Sequence, residues 1–152
     1  MDFPNKTIIS MFQNTLEVYE AFCQPVCKKY KMPQTAFDIL MFLANNPEMQ
    51  TAKEISRSRG IKRSMVSFHV DKLVKNGYLE RHSIAKDRRQ VKLVCTEKAN
   101  PVIKDGRDQQ KKFFDCITNG FTDEDKEQFV RIQNLLKSNV MAYKEKIKKG
   151  SC

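Results

Sequence analysis

Two short helix signals follow one another between Thr51 and Gly77, and they restrict the fold more than any other part of the sequence. Thr51-Ala52-Lys53-Glu54 has the form of a capping box, in which the threonine hydroxyl and the glutamate each satisfy a free backbone N–H. The helix that it starts is predicted to end near Gly60, and a second helix is predicted over 62–76, ending at Asn76-Gly77. Two short helices joined by a tight glycine-containing turn predict a helix-turn-helix.

A β-hairpin is predicted directly after this pair of helices. Residues 78–82 and 90–95 are candidate strands, and Gln90 to Leu93 alternate polar and apolar as a half-exposed strand does. The seven residues Ser83 to Arg89 are predicted to form the hairpin loop, which ends in Lys86-Asp87-Arg88-Arg89. An arginine at such a tip can enter a DNA minor groove, and Asp87 is expected to hold an arginine in place.

Amphipathic helices are predicted on both sides of this region. Apolar residues recur at three- and four-residue steps over 5–30, with a kink or break at Pro25, and over 35–46, with Thr35 as N-cap. After the hairpin, Asn100-Pro101 is interpreted as a cap followed by a first-turn proline, in a helix that ends near 118. A last helix follows from Thr122. The predicted fold is mainly α with a small β-hairpin.

The positive charge is concentrated where the helix-turn-helix and the hairpin lie. The chain has 152 residues and a formal net charge of +10. Residues 53–92 contain twelve Lys or Arg and four Asp or Glu, so this segment alone carries +8. A basic surface on a helix-turn-helix indicates a polyanionic partner, and double-stranded DNA fits best, although a solvated charged surface is the simpler alternative.

The helix predicted over 62–76 is expected to read the DNA. At about 100° per residue, Val66, Val70, Leu73 and Val74 share one side and form its buried face. Small serines on the other side can approach base edges, whereas the lysines meet phosphates, which position a protein without specifying sequence. With the hairpin tip, the residues assigned to DNA contact are Arg63, Ser64, Ser67, Phe68, Lys72, Lys86, Asp87, Arg88 and Arg89.

Phe68 is the unusual residue on this outward face. A phenylalanine among serines and lysines needs an apolar partner, and the methyl groups of thymine in a major groove would supply one. The alternative is that Phe68 packs sideways on the hairpin or on a neighbouring helix, since isolated apolar residues are common on protein surfaces.

The stretch SMVSFHVDKLVKNGYLERHSIAKDRRQVKLVCTEKA resembles the MarR (multiple antibiotic resistance regulator) family of bacterial transcription factors. The family pattern has an Asp-x-Leu in the recognition helix, a glycine turn leading to an arginine, and an Asp-x-Arg in the wing. Here these are Asp71-Lys72-Leu73, Gly77 to Arg81, and Asp87-Arg88-Arg89. The sequence departs from the family at Met65, where threonine is common, and at Phe68, where arginine is frequent.

The resemblance implies a homodimer of winged helix-turn-helix subunits, each a single domain over 1–152. The winged region would span about 33–97, and the dimerisation helices about 5–30 and 98–147. Such proteins bind pseudo-palindromic operators, usually repress transcription, and release DNA when a small aromatic or lipophilic ligand binds or a cysteine is oxidised. The apolar residues expected at the dimer interface are Ile8, Ile9, Phe12, Phe129, Ile132, Leu136 and Val140.

Other functions receive less support from the sequence. Cys23 and Cys27 lie on one helical face and are candidates for a thiol-based redox sensor, although both are more simply explained as small buried residues. A winged-helix protein-interaction module is a further alternative, but it would not need a basic wing. His69 and His82 have no cysteine pair at zinc-finger spacing, and no catalytic motif is present, so we expect no metal, no cofactor and no enzyme.

The ends and hydropathy of the sequence suggest a location. No run of 18 apolar residues is present, and MDFPNKTIIS lacks the long apolar core of a signal peptide. An odd number of scattered cysteines fits a reducing compartment. We therefore expect a cytoplasmic protein that does not insert into a membrane.

Overall fold

A computed structural model describes residues 5–84, 87–148 and 150, with side chains described for 8–83, 91–148 and 150. None of the described helices combines the length and the apolar composition that a bilayer span requires. The predicted order of four helices, two strands and two helices is confirmed. The elements are α1 (Asn5–Lys29), α2 (Gln34–Asn45), α3 (Ala52–Arg59), α4 (Arg63–Lys75), β1 (Leu79–Ile84), β2 (Asp87–Cys95), a 3₁₀ turn (Glu97–Ala99), α5 (Asn100–Ile117) and α6 (Asp123–Lys148).

The chain forms two compact units, and the boundary between them in the sequence lies within α5, between Phe113 and Phe114. The first unit has α2 at its centre. This helix is apolar around most of its circumference and contacts α1, α3, α4 and β2. Its buried residues are Ala36, Phe37, Ile39, Leu40, Met41, Phe42 and Leu43. A helix that is apolar on all sides is stable only when other elements enclose it, so α2 determines where its neighbours pack.

Two predicted helix caps are wrong. Pro33, not Thr35, occupies the N-cap of α2 in an extended conformation, and it makes no side-chain capping bond. Proline suits this position because its fixed φ is compatible with entry into a helix. Asn100 is itself helical, since the 3₁₀ turn runs directly into α5. Helix α1 continues through Pro25 without the predicted break.

The hairpin is longer than predicted, and the seven-residue loop is wrong. Strand β1 extends to Ile84 and β2 begins at Asp87, with antiparallel pairing from Leu79 opposite Cys95 to Ser83 opposite Val91. An irregularity in register lies between Ser83 and Ile84. Backbone hydrogen bonds stabilise a two-stranded ribbon whatever its side chains, so a run of charged residues does not exclude a strand.

The second unit contains the end of α5 and helix α6. Thr122 and Asp125 form a reciprocal cap at the start of α6, with Thr122 N–H donating to the carboxylate at 2.9 Å and Asp125 N–H donating to the hydroxyl at 3.1 Å. Phe129 packs against Phe121, with 5.8 Å between ring centroids. No described residue of this 26-residue helix is buried. Its exposed apolar side chains are Val130, Ile132, Leu135, Leu136, Val140, Tyr143 and Ile147.

Gly106 lets α5 approach α2 closely within the first unit. A Cβ at this buried position would lie 2.5 Å from Met41 Sδ and 3.0 Å from Phe37 Cε2. Met41 is itself buried, so its side chain has little room to move aside. Glycine in a helix interior ordinarily lowers stability, but at this position it is a packing requirement.

We expect Gly106→Ala to destabilise the protein. Overpacking costs about 1–3 kcal/mol, which exceeds the gain of about 1 kcal/mol in helix propensity. The denaturant midpoint should therefore fall. Asp108→Ala, at an exposed position of the same helix, is the matched control and should change stability by no more than about 0.5 kcal/mol. A higher midpoint for Gly106→Ala would contradict the packing argument.

Candidate nucleic-acid interface

Helix α4 has one buried face and one outward face, as its sequence predicts. Val66, Val70 and Leu73 are almost fully buried. The five residues of this helix that the sequence assigns to DNA contact are all exposed: Arg63, Ser64, Ser67, Phe68 and Lys72. All five are therefore accessible to a partner, and Ser64, Ser67, Phe68 and Lys72 lie on the side of the helix that faces away from the core.

The turn between α3 and α4 is held by local hydrogen bonds. Thr51 and Glu54 form the predicted capping box, with Thr51 N–H donating to Glu54 Oε2 at 2.9 Å and Glu54 N–H donating to Thr51 Oγ1 at 3.3 Å. Gly60 ends α3 in the left-handed conformation, with φ of 67°. The Ser56 hydroxyl donates to the Ile61 carbonyl at 2.7 Å across the turn. These bonds fix the angle at which α4 leaves α3.

The base of the hairpin is joined to the end of α4 through Thr96. Its hydroxyl donates to the Gly77 carbonyl at 2.6 Å, and its N–H donates to the Tyr78 carbonyl at 3.1 Å. On β2, Leu93 N–H donates to the Gln50 carbonyl at 2.8 Å, which joins the strand to the segment before α3. The hairpin is therefore bonded to the helix-turn-helix at two separate places.

An ion pair between Asp71 and Arg81 connects α4 to β1. Sequence reasoning missed this contact and assigned the role of holding an arginine to Asp87 instead. The signal was available, because both residues belong to the motifs that carry the family resemblance. Since Asp71 is already paired with Arg81, it adds little uncompensated negative charge to the outward face of α4.

Several exposed cations lie on α4 and on the elements next to it. A depression of about 590 Å³ lies between the start of α3, the start of α4 and β2, and its lining includes Lys53, Arg57 and Arg63 as well as Glu54 and Val91. Other exposed cations lie close to these elements in the sequence. They are Lys62, Lys72, Lys75, Arg81 and Lys92. This arrangement can bind phosphate groups along a nucleic-acid backbone.

The predicted contact residues at the hairpin tip lie outside the described side chains. Lys86 is outside the described residues altogether. The backbone of Asp87, Arg88 and Arg89 is described as part of β2, but their side chains are not. Their contact with a minor groove stays a prediction from the sequence.

A cavity of about 390 Å³ lies against the inner side of α4. Residues from the junction of α1 and α2 line it together with residues from α4 and the segment that follows: Tyr30, Lys31, Met32, Pro33, Ala36, His69, Lys72, Leu73, Lys75, Asn76 and Tyr78. His69 is only 6% exposed, and its Nδ1 has no hydrogen-bond partner among the described residues. Burial, with a smaller effect of Lys72, lowers the pKa of His69. The cavity thus combines an apolar wall with a neutral ring nitrogen and several cations.

The two first-helix cysteines lie in an environment that favours the thiol. Cys23 is fully buried, and Cys27 Sγ lies 3.4 Å from Gln34 Oε1. Burial raises the pKa of the Cys23 thiol and raises that of Cys27 to about 11. Because the thiolate is the reactive form, these environments oppose oxidation. Within the described part of the chain, no group of three His, Cys, Asp or Glu could hold a metal ion.

The chain is similar to proteins of one family. The model of the MarR family matches residues 30–90. A putative MarR family transcriptional regulator from Listeria monocytogenes, complexed with a 26mer DNA, is 16% identical, with a TM-score of 0.82 over 100% of this chain and 98% of that one. A MarR protein from Peptoclostridium difficile is 20% identical, with a TM-score of 0.77 over 97% and 94%. A MarR transcriptional regulator from Methanosarcina mazei is 18% identical, with a TM-score of 0.77 over 91% and 99%.

Proposed function

We propose that this chain is a transcriptional regulator of the MarR family, whose model matches residues 30–90, and that it binds double-stranded DNA sequence-specifically as a homodimer and represses transcription. The observation that carries the proposal is the outward face of α4, where short polar and apolar side chains are surrounded by cations. This composition suits a helix that lies in a major groove. A role in DNA binding also accounts for the absence of catalytic motifs in the sequence.

Each part of the interface has a distinct task in this proposal. Helix α4 has 13 residues, or about 20 Å of length, and a major groove admits one α-helix. Ser64 and Ser67 are short enough to let the helix approach base edges. Arg63 and Lys72 contact phosphates, which fix the orientation of the helix. Lys86, Arg88 and Arg89 of the hairpin tip contact the adjacent minor groove, and Asp87 orients an arginine.

Dimerisation is proposed from the unpartnered apolar surfaces of α1 and α6. Ile9 and Phe12 of α1 are more than half exposed, as is Ile132 of α6. The exposure of this much apolar surface to water is unfavourable, and a second copy of the chain would bury it. Two copies related by a two-fold axis would read a pseudo-palindromic operator with half-sites about one helical turn apart. A dimer bound there would obstruct polymerase, which is the basis for proposing repression.

We further propose that a small aromatic ligand occupies the cavity beside α4 and releases DNA. Its volume of about 390 Å³ falls within the range of small-molecule sites. Tyr30 and Tyr78 offer aromatic surface, whereas the lysines favour a ligand with an acidic group. Because His69 and Leu73 belong to α4, a ligand in contact with them would alter the position of the DNA-reading helix.

Binding to duplex DNA should be strongly salt-dependent. Fluorescence anisotropy with the preferred duplex selected from a random pool should show log Kd rising linearly with log salt. Arg63→Ala and Lys72→Ala should each weaken binding and lower the slope by about 1, because each removes a phosphate contact. Lys112→Ala removes an exposed cation from α5 and should change neither the affinity for DNA nor the slope. Failure to bind any duplex at low salt would refute the proposal and favour a protein-interaction module.

Aspartate substitutions on the apolar stripe of α6 should separate the dimer. Ile132→Asp or Leu136→Asp would place a charge in the interface, which should weaken association by at least about tenfold. Sedimentation equilibrium measures this directly. Gln133→Asp introduces the same residue at an exposed polar position of α6 and should leave the dimer intact. A strictly monomeric wild-type chain would be incompatible with the proposed dimer.

Phenol and benzoate serve as probes of the cavity. At millimolar concentration one or both should raise the melting temperature, because a ligand that binds the folded state stabilises it. The same probe should weaken DNA binding, because α4 forms part of the cavity wall. Tyr30→Ala removes aromatic surface from the cavity wall and should weaken the response to the probes while retaining DNA binding in their absence. If neither probe changes the melting temperature or the affinity for DNA, the proposed aromatic ligand site is wrong.

A further inference from the structure

The centre of the outward face of α4 is apolar. Phe68 is 49% exposed and Met65 is 44% exposed, although Val66, Val70 and Leu73 of the same helix are buried. With about 100° per residue, Phe68 lies almost opposite the middle of the buried face, and Met65 lies one turn before it. These two side chains therefore point away from the core. Two large apolar residues that are exposed at the centre of a surface indicate that this surface contacts apolar groups of a partner.

The centre of this face has few residues that read bases by paired hydrogen bonds. Between Ser64 and Lys75 the sequence contains no Arg, Asn or Gln. Asn and Gln make the bidentate contacts with adenine, so α4 has no such contact to offer, and contacts of this kind with guanine are left to Arg63 in the first turn and to the lysines. Asp71 is paired with Arg81. Apolar contact is therefore the base contact that the centre of this face favours.

The Phe68 ring is held in place by its neighbours. Lys72 Nζ lies 4.3 Å from the ring centroid, in a cation–π contact. The His69 ring packs edge-on, with 5.1 Å between centroids. These contacts restrict the rotamers of Phe68 before any ligand arrives, which lowers the entropic cost of binding. The lysine is simultaneously positioned beside the ring, where its charge favours a polyanion over a neutral apolar partner.

We propose that Phe68, together with Met65, determines base specificity by packing on the C5 methyl groups of thymines in the major groove. Thymine is the base that presents an apolar group there, so the pair selects half-sites that contain A·T pairs at the centre of the α4 contact. This inference rests on the proposed DNA-binding function and names its preferred sequence class. The cations Arg63, Lys72 and Lys75 on the same helix favour DNA over a protein partner as the occupant of this surface.

Replacing thymine by deoxyuridine tests the contact without changing the protein. The duplex selected by the wild-type chain is resynthesised with deoxyuridine at one thymine at a time, which removes a single methyl group and leaves base pairing intact. At one or two positions in each half-site, affinity should fall about fourfold, the effect of one buried methyl group. Deoxyuridine at the remaining thymine positions should change the affinity much less.

Protein variants then identify the side chains that sense the methyl group. Phe68→Ala should weaken binding to the selected duplex and should no longer distinguish thymine from deoxyuridine at the sensitive positions. Met65→Ala should reduce the discrimination in the same way. Asp108→Ala, at an exposed position of α5 outside the proposed interface, is the matched control and should keep the full response. Circular dichroism melting checks that each variant is folded, and Phe68 is exposed enough that its replacement leaves the core intact.

The possible outcomes separate this inference from the proposed function. If the wild-type chain binds its selected duplex in a salt-dependent manner but no deoxyuridine substitution changes the affinity, the role of Phe68 and Met65 is overturned and DNA binding stands. If Phe68→Ala retains the discrimination, the role of Phe68 is likewise overturned. If no duplex binds at low salt, the proposed function itself fails.

Discussion

The enclosure of α2 by its neighbours is the constraint on which the rest of the first unit depends. This helix buries apolar side chains on nearly all sides, so α1, α3, α4 and β2 must pack around it. Val66, Val70 and Leu73 bury one side of α4 within the core of this unit, and that burial turns the opposite side outward. The candidate interface is therefore a consequence of where the apolar residues lie.

Much of this fold can be predicted from local signals. The capping box at Thr51, the left-handed Gly60 and the buried side of α4 depend on interactions within a few residues, and all three predictions are confirmed. The predictions that failed required knowledge of the adjoining chain. The cap at Thr35 fails because Pro33 fills the N-cap position two residues earlier, and the cap at Asn100 fails because a 3₁₀ turn precedes it. The hairpin strands extend beyond their predicted bounds because strand pairing continues towards the charged residues near the tip.

The candidate site could be predicted only in part. Helical periodicity predicted that Ser64, Ser67, Phe68 and Lys72 point away from the core, and all four are exposed, because periodicity is a property of a single element. The Asp71–Arg81 pair, the cavity beside His69 and the close packing at Gly106 each join residues from different elements. Such contacts depend on tertiary structure, which a single sequence does not display. The side chains at the hairpin tip lie outside the described residues, so their role stays a prediction, as does the dimer interface.

The ion pair between Asp71 and Arg81 makes the shape of the interface sensitive to the ionic medium. Both side chains are largely open to solvent, at 65% and 44% exposure, so dissolved ions can weaken their attraction. This pair links the helix that faces the major groove to the first strand of the hairpin. A rise in electrolyte concentration therefore acts twice. It screens the phosphates, and it also weakens one of the contacts that join the two parts of the protein proposed to bind them.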